Sequence, residues 1–183
     1  MFRFFDVIFS LFGIILLIPI IIILVIAGYF DTGSPVFCQA RMGINKKAFN
    51  LYKFRSMRIN TKSTATHLVN HSNVTKYGSV IRKAKLDEIP QLFNVLFGDM
   101  SLIGPRPNLF NQEELIIERE KLGVYDVLPG ISGLSQIKKI DMSKPKLLSE
   151  TDAKMINELN TINYFKYILQ TILGNGFGDR VVK

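Results

Sequence analysis

The sequence predicts an α+β protein that is mainly helical and begins with an apolar helix. Three patterns support this fold class. Residues 7–30 contain no charged side chain, and residues 36–55 alternate between apolar and polar positions around a short loop. Several later segments repeat apolar residues at helical spacing. A chain of 183 residues is also long enough to bury a hydrophobic core.

Residues 7–30 are predicted to form a membrane helix. A helix of 24 residues is about 36 Å long and can cross a hydrocarbon core of about 30 Å. A cleaved signal peptide fits poorly, because Arg3 is the only preceding base and no small-residue cleavage site follows. A break is expected at Ile18 and Pro19, since proline removes a backbone donor. The residues alone favour a kinked spanning helix over a re-entrant helix-break-helix that returns to the same membrane face.

The anchor is expected to occupy residues 1–31, and residues 32–183 are expected to form a membrane-associated domain. The chain has 23 Lys and Arg against 15 Asp and Glu, and all of the excess positive charge lies after residue 31. Such a domain is expected on the cytoplasmic side of the membrane, close to anionic lipids and phosphate-bearing substrates. Nucleic acid is not an expected partner, because the sequence contains no helix-turn-helix, zinc-finger or RNA-binding pattern.

The first elements after the anchor are predicted to be a β-hairpin and a helix. Residues 36–41 and 48–55 alternate on either side of a Gly-containing loop, which is typical of a hairpin. An amphipathic helix is expected to start with Asp87 as its N-cap, to accept Pro90 in its first turn and to end at Gly98.

Three further segments have clear patterns. Residues 113–122 are predicted to be helical, and residues 129–133 to form a turn. Residues 149–173 are predicted to form one long helix. Aromatic residues alternate with lysines there, so this helix fits a membrane interface and an ordinary packed core about equally well.

Asp87 and Glu88 are the strongest candidates for chemistry. Adjacent carboxylates can act on one substrate, with one attacking or binding metal while the other moves a proton. Acids also commonly cap helices, so the pair alone does not establish a site. The surrounding bases strengthen the hypothesis, and among them Arg106 has a backbone restricted by Pro105 and Pro107.

The remaining candidates are weaker. His67 and His71 have helical spacing but lie in a predicted loop and lack the glutamate of a zinc-binding motif. Cys38, the single cysteine, excludes an internal disulfide and is expected to be structural. The glycine-rich residues 174–178 lack the Lys-Ser/Thr ending of a phosphate-binding loop.

Six stretches and the N-terminal segment together carry a family resemblance. The stretches are residues 53–58 (Lys-Phe-Arg-Ser-Met-Arg), 81–83 (Ile-Arg-Lys), 86–92 (Leu-Asp-Glu-Ile-Pro-Gln-Leu), 94–96 (Asn-Val-Leu), 98–107 (Gly-Asp-Met-Ser-Leu-Ile-Gly-Pro-Arg-Pro) and 129–133 (Pro-Gly-Ile-Ser-Gly). Asp6, ahead of the proline-containing apolar helix, also matches. The chain resembles the bacterial sugar transferases called monotopic phosphoglycosyl transferases, in their small single-domain form.

The resemblance implies a reaction. Members move a phosphosugar, often of an N-acetylated aminosugar, from a UDP-sugar to undecaprenyl phosphate and release UMP. This first membrane step of glycoconjugate synthesis takes place on the cytoplasmic face of the bacterial inner membrane. The resemblance further implies a re-entrant anchor around Ile18 and Pro19. The sequence leaves the oligomeric state open, with a homodimer as one option.

Residue roles follow from the same resemblance. Asp87 is expected to attack the sugar-linked phosphate and form a covalent intermediate, while Glu88 deprotonates or orients the lipid phosphate. Mg²⁺ is expected to bridge the diphosphate and Asp87. Lys53, Arg82 and Arg106 are expected to bind phosphates or the nucleotide, with Pro105 and Pro107 shaping that contact. The competing hypotheses are a membrane glycosyl transferase that releases UDP and a noncatalytic membrane-tethered scaffold.

Overall fold

The computed structural model describes residues 2–59 and 73–173. Within these residues the fold is mainly helical with two small sheets, as the sequence predicts. The elements are α1 (Arg3–Thr32), β1 (Val36–Met42), β2 (Ala48–Phe54), α2 (Lys76–Lys83), α3 (Gln91–Phe97), β3 (Ser101–Ile103), α4 (Glu113–Lys121), β4 (Gly130–Ser132), α5 (Leu134–Ile137), α6 (Pro145–Glu158) and α7 (Thr161–Ile172).

Helix α1 is long and apolar enough to cross a membrane by length and composition. It is one continuous helix, so the predicted break at Ile18 and Pro19 does not interrupt the helical structure. A proline removes a single hydrogen bond, and a helix can absorb this loss without ending. The helix ends where Gly33 adopts a left-handed conformation (φ 74°), and the Gly33 N–H donates to the Tyr29 carbonyl over 2.8 Å.

One face of α1 packs on the rest of the protein toward both ends of the helix. The buried residues of this face recur at helical spacing and include Asp6, Ser10, Ile14, Leu24 and Gly28. The opposite face exposes large apolar side chains, as at positions 12, 16, 23 and 30. This exposed face is a contiguous apolar surface of the kind that marks contact with a membrane or a partner.

The N-terminal end of α1 is fixed by Asp6. Its carboxylate is 2% exposed and accepts hydrogen bonds from Ser101 Oγ (3.0 Å), the Leu102 N–H (2.9 Å) and Tyr164 OH (2.7 Å). Burial, and then the bond to Asp6, raise the pKa of the Tyr164 hydroxyl, so it remains a donor at neutral pH. One carboxylate therefore joins α1 to β3 and α7.

The predicted hairpin is confirmed. Strands β1 and β2 pair antiparallel, with Val36 opposite Phe54 and Met42 opposite Ala48. The loop between them forms a short 3₁₀ turn in which Asn45 and Lys46 have positive φ angles of 52° and 60°.

The predicted turn at residues 129–133 is instead a strand. β4 pairs in parallel with β3, with Ser101 opposite Gly130 and Ile103 opposite Ser132. The two backbones approach so closely that a Cβ on Gly130 would lie 2.0 Å from the Gly104 nitrogen. Glycine is needed there because of this contact, so its presence in the sequence did not mark a chain reversal.

The predicted helix over 149–173 is two helices, while that over 113–122 is confirmed as α4. Helix α6 ends at Glu158 because Leu159 is extended, and Asn160 caps α7 by accepting from the Asn163 N–H over 2.9 Å. Helix α7 buries Tyr164 on the core and exposes apolar residues on its other side, as at positions 162, 169 and 172. Helix α7 therefore has one face that packs on the core and one exposed apolar face that fits a membrane interface, as the two interpretations of the sequence each required.

We expect Asp6→Ala to be strongly destabilising, because it leaves the buried Ser101 and Tyr164 hydroxyls and the half-buried Leu102 N–H without their acceptor. A loss of about 3 kcal/mol should lower the Tm of the detergent-solubilised protein by about 10 °C. The control is Asp31→Ala, which removes a bond from Thr75 Oγ1 (2.7 Å) to an exposed carboxylate. Equal Tm values for the two variants would refute the anchoring role of Asp6.

Candidate active site

Asp87 and Glu88 lie in a 3₁₀ turn, Leu86–Glu88, which follows α2. The prediction that Asp87 caps the following helix is wrong, because α3 begins only at Gln91. Pro90 has no N–H to continue the hydrogen-bond ladder, and the turn is closed by bonds such as Ile89 N–H to the Leu86 carbonyl (3.3 Å).

Both acids are buried. Asp87 is 3% exposed and Glu88 is 9% exposed. Burying a carboxylate in its charged form is costly unless cations or hydrogen-bond donors compensate it. The cations around the turn are therefore part of the site and do not merely form a solvated basic surface.

Glu88 is held by two cations that come from distant parts of the sequence. Its Oε1 lies 2.8 Å from Arg106 Nη2 and 3.4 Å from Lys53 Nζ. These contacts join β2, the acidic turn and the loop after β3. The structure thus brings together three of the residues that the sequence singled out.

Lys53 is placed by the alternation of β2. Leu51 and Lys53 lie on the same face of the strand and both are buried, at 3% and 8% exposure. The lysine therefore enters the interior from a strand that is fixed by its pairing with β1. Its charge is desolvated there and is paired with Glu88.

The backbone that carries Arg106 is fixed on both sides. Pro105 and Pro107 are buried, and the Pro105 carbonyl accepts from the Gly130 N–H over 2.8 Å. The Pro107 carbonyl accepts from Arg41 Nη1 over 3.2 Å. Because proline also restricts φ, the guanidinium of Arg106 starts from a rigid loop. This agrees with the restricted backbone that the two flanking prolines predict.

A buried ionic network, which the sequence did not reveal, supports this loop from behind. Arg119 on α4 is 1% exposed and donates to the Arg106 carbonyl over 2.8 Å and to Asp152 over 2.6 Å. Ser135 also donates to Asp152, over 2.5 Å, and Arg119 donates to Asn108 over 3.1 Å. The members of this network are far apart in sequence. The only sequence signal for it is the position of a charged residue, Arg119, on the inner face of α4.

Arg82 and Tyr77 lie on α2, which leads into the acidic turn. Arg82 Nη1 donates to Ser56 Oγ over 3.3 Å. Ser56 lies three residues after Lys53, just beyond the end of β2. A Cβ on Gly78 would lie 1.9 Å from the Ser56 carbonyl, so α2 packs directly on this backbone. Burial, with smaller contributions from the charges of Asp31 and Asp87, raises the pKa of Tyr77. Asp87 thus has an electrostatic effect on α2.

The other candidates are not part of this cluster. Cys38 is exposed. Arg55 donates to the Ser34 carbonyl over 2.8 Å and lies 5.4 Å from the centre of the Phe37 ring, so it secures the start of the hairpin. His67, His71 and residues 174–178 lie outside the described residues.

Within residues 2–59 and 73–173 there is no group of three or more His, Cys, Asp or Glu residues that could hold a metal ion. Mg²⁺ does not require one, because it is commonly bound through one or two carboxylates together with substrate phosphates. Asp87 and Glu88 are hard oxygen donors of that kind. The side chains present therefore fit a magnesium ion that arrives with a phosphorylated substrate.

Two buried acids, the buried Lys53 and the half-buried Arg106 form a site that suits an anionic substrate, and an exposed apolar helix lies beside it. The chain belongs to the bacterial sugar transferase family, whose model matches residues 1–176. The resemblance found in the sequence is thereby confirmed.

Individual relatives support the same family assignment. The chain is 41% identical over 136 residues to the uncharacterized sugar transferase EpsL of Bacillus subtilis, covering 74% of this chain and 67% of that protein. It is 40% identical over 138 residues to the UDP-glucose:undecaprenyl-phosphate glucose-1-phosphate transferase of Klebsiella pneumoniae, covering 72% and 30%. It is 35% identical over 187 residues to the UDP-N-acetylgalactosamine-undecaprenyl-phosphate N-acetylgalactosaminephosphotransferase of Aeromonas hydrophila, covering 96% and 44%. The chain thus spans less than half the length of the latter two.

We expect Arg119→Met to lower stability by about 3–5 kcal/mol, because it leaves the buried Asp152 charge without its partner. The double variant Arg119→Met/Asp152→Leu should recover most of that loss in thermal unfolding. It should still bind a UDP-sugar about tenfold more weakly than wild type, since the Arg106 carbonyl has lost its donor. If the double variant regains both stability and wild-type binding, Arg119 has no role in positioning Arg106.

Proposed function

We propose that the chain is a phosphoglycosyl transferase that moves a sugar phosphate from a UDP-sugar to undecaprenyl phosphate. The single observation behind this proposal is the buried Asp87–Glu88 pair, in which Glu88 is held by Arg106 and Lys53. Relatives named as undecaprenyl-phosphate sugar phosphotransferases support the general reaction. UMP release and a covalent intermediate are the specific parts that we add.

In the first step an Asp87 carboxylate oxygen attacks the sugar-linked phosphorus of the donor. A bond forms between that oxygen and phosphorus, and the bond from phosphorus to the oxygen bridging to UMP breaks. UMP leaves with the electron pair, and the sugar phosphate remains on Asp87. In the second step an oxygen of undecaprenyl phosphate attacks the same phosphorus and displaces the Asp87 carboxylate, which regenerates the enzyme.

The cations reduce the repulsion between a carboxylate and a charged diphosphate. Arg106 and Lys53 offer donors beside the dyad, and Arg106 starts from a rigid loop that requires little reorganisation. Glu88, held by both cations, orients the lipid phosphate. Arg82 contributes positive charge from α2. A bound Mg²⁺ held by Asp87 would supply further charge neutralisation at the diphosphate.

The packing of α1 supports a membrane-associated enzyme that lies on one face of the bilayer. Thirty helical residues extend about 45 Å, and a spanning helix would place one end far from the catalytic domain. Instead, Asp6 near one end contacts Ser101, and Asp31 near the other end contacts Thr75. The excess of basic residues after α1 favours the cytoplasmic face of the inner membrane.

The donor sugar is proposed to be an N-acetylated aminosugar. The relatives above are named for glucose and for N-acetylgalactosamine, so they support the UDP-sugar class and leave the individual sugar to experiment. A glycosyl transferase that moves the sugar alone would release UDP. A noncatalytic scaffold would have no use for the buried acids.

The first test measures the nucleotide released from UDP-sugars in the presence of undecaprenyl phosphate and Mg²⁺. Wild-type protein should release UMP over many turnovers only when the acceptor is present, since without it each enzyme can release one UMP at most. Asp87→Asn should lower turnover by orders of magnitude because it removes the nucleophile, and Glu88→Gln should also be severely impaired. Glu114→Gln, at an exposed position on α4, is the control and should be unaffected.

Three outcomes would contradict the assignment. Release of UDP would indicate an ordinary glycosyl transferase, and no nucleotide release with any UDP-sugar would favour a scaffold. Near-normal turnover by Asp87→Asn would exclude this residue as the nucleophile.

The second test concerns topology. In a Cys38→Ser background, single cysteines at positions 2 and 183 should both be labelled only from the cytoplasmic side, because both ends of α1 contact the domain that we place on that side. A control cysteine in a periplasmic segment of an unrelated membrane protein verifies that the reagent distinguishes the sides. Labelling of positions 2 and 183 from opposite sides would establish a spanning helix.

A further inference from the structure

We propose that an apolar cavity between α1, the hairpin and α3 holds part of the isoprenoid chain of the acceptor lipid. This proposal rests on the proposed function, because that function supplies an acceptor with an apolar chain attached to a phosphate. It adds a binding site for the isoprenoid chain of the lipid. The Asp87–Glu88 pair and its cations account only for the phosphate.

The cavity has a volume of about 280 Å³. Its walls are apolar side chains from four parts of the fold, with Ile21 and Val25 contributed by α1, Val36 by β1, Phe54 by β2 and Phe97 by α3. A water molecule occupies about 30 Å³ in the liquid and needs two to four polar partners. A cavity of this size with apolar walls is therefore suited to an apolar occupant.

The cavity lies directly beside the acidic turn. Pro90, two residues after Glu88, is part of its wall. Tyr52 and Phe54, which flank Lys53, also contact it. Since side chains alternate along a strand, the cavity and the Lys53 amine lie on opposite faces of β2. One strand thus separates the cavity from Lys53, a distance far shorter than an undecaprenyl chain.

The same cavity reaches the apolar surface of the protein. Phe97 is 69% exposed and Val36 is 44% exposed, although both contribute to the walls. Ile22, Ile23 and Ile26, on the turns of α1 that carry Ile21 and Val25, are also exposed. A chain can therefore enter the cavity past these exposed apolar side chains.

Charge and shape together favour the acceptor over other occupants. An amphiphile bound here needs an anionic group that reaches Lys53 and Arg106, and an apolar chain that fills the cavity. Undecaprenyl phosphate has a phosphate and an isoprenoid chain in one molecule. A phospholipid acyl chain is the competing occupant, and the experiment below separates the two.

The binding test uses a unique fluorophore. The chain contains no tryptophan, so Phe97→Trp introduces a single indole at the cavity, and Phe30→Trp introduces one on α1 at an exposed position (83%) away from it. In detergent micelles, undecaprenyl phosphate should change the emission of Phe97→Trp saturably. It should leave that of Phe30→Trp unchanged, and phosphatidylglycerol at equal mole fraction should affect neither.

Either of two results would overturn the proposal. One is the same response from both variants. The other is a response of Phe97→Trp to phosphatidylglycerol that matches its response to undecaprenyl phosphate, because the cavity would then be a general lipid contact.

A kinetic test with a bulky substitution is independent of the fluorescence. Val36→Trp should fill part of the cavity and raise the KM for undecaprenyl phosphate roughly tenfold, the size expected for a lost apolar contact. The KM for the UDP-sugar should stay within about twofold. Ile26→Trp, at an exposed position on α1 outside the cavity, is the matched control and should change neither.

The two proposals fail in different ways. If wild-type protein transfers the sugar phosphate but Val36→Trp has a normal acceptor KM, the cavity proposal is wrong and the proposed function stands. If wild-type protein releases no UMP, the proposed function is wrong, and the fluorescence titration still reports whether the cavity binds the lipid.

Discussion

The ion pairs of Glu88 are the interactions on which the site depends. A buried carboxylate must be compensated, and here the compensation comes from Lys53 on β2 and from Arg106 on the loop after β3. Each cation requires a fixed backbone, so the close β3–β4 contact and the Arg119–Asp152 network serve the same purpose. Much of the small domain therefore holds Arg106 and Lys53 in place beside Glu88.

The second constraint is the membrane. In the proposed reaction the polyprenol acceptor stays in the bilayer, so its phosphate can meet Asp87 only if the active site lies at the interface. Helix α1 is suited to this requirement. It packs one face on the domain that contains Asp87 and leaves its other face apolar and exposed. The anchor is therefore a structural part of the domain, since Asp6 is bonded to β3 and α7.

Local patterns in the sequence predicted the hairpin, α4, the glycine end of α3 and the residues that meet at Glu88. They did not predict β4, because a parallel pair of three-residue strands has no signature within either strand. They also missed Arg119 and Asp152, whose pairing depends on tertiary packing. The N-cap role of Asp87 was wrong, because Pro90 delays the start of α3 to Gln91.

The most direct test of the account is to locate the phosphosugar on the protein. Wild-type protein is incubated with a UDP-sugar and Mg²⁺ without acceptor, quenched, digested and analysed by mass spectrometry. The account predicts a sugar-phosphate adduct on the peptide that contains Asp87, formed with stoichiometric UMP and lost when undecaprenyl phosphate is added. An adduct on another residue, or turnover to UMP with no adduct at any time, would contradict the central role of Asp87.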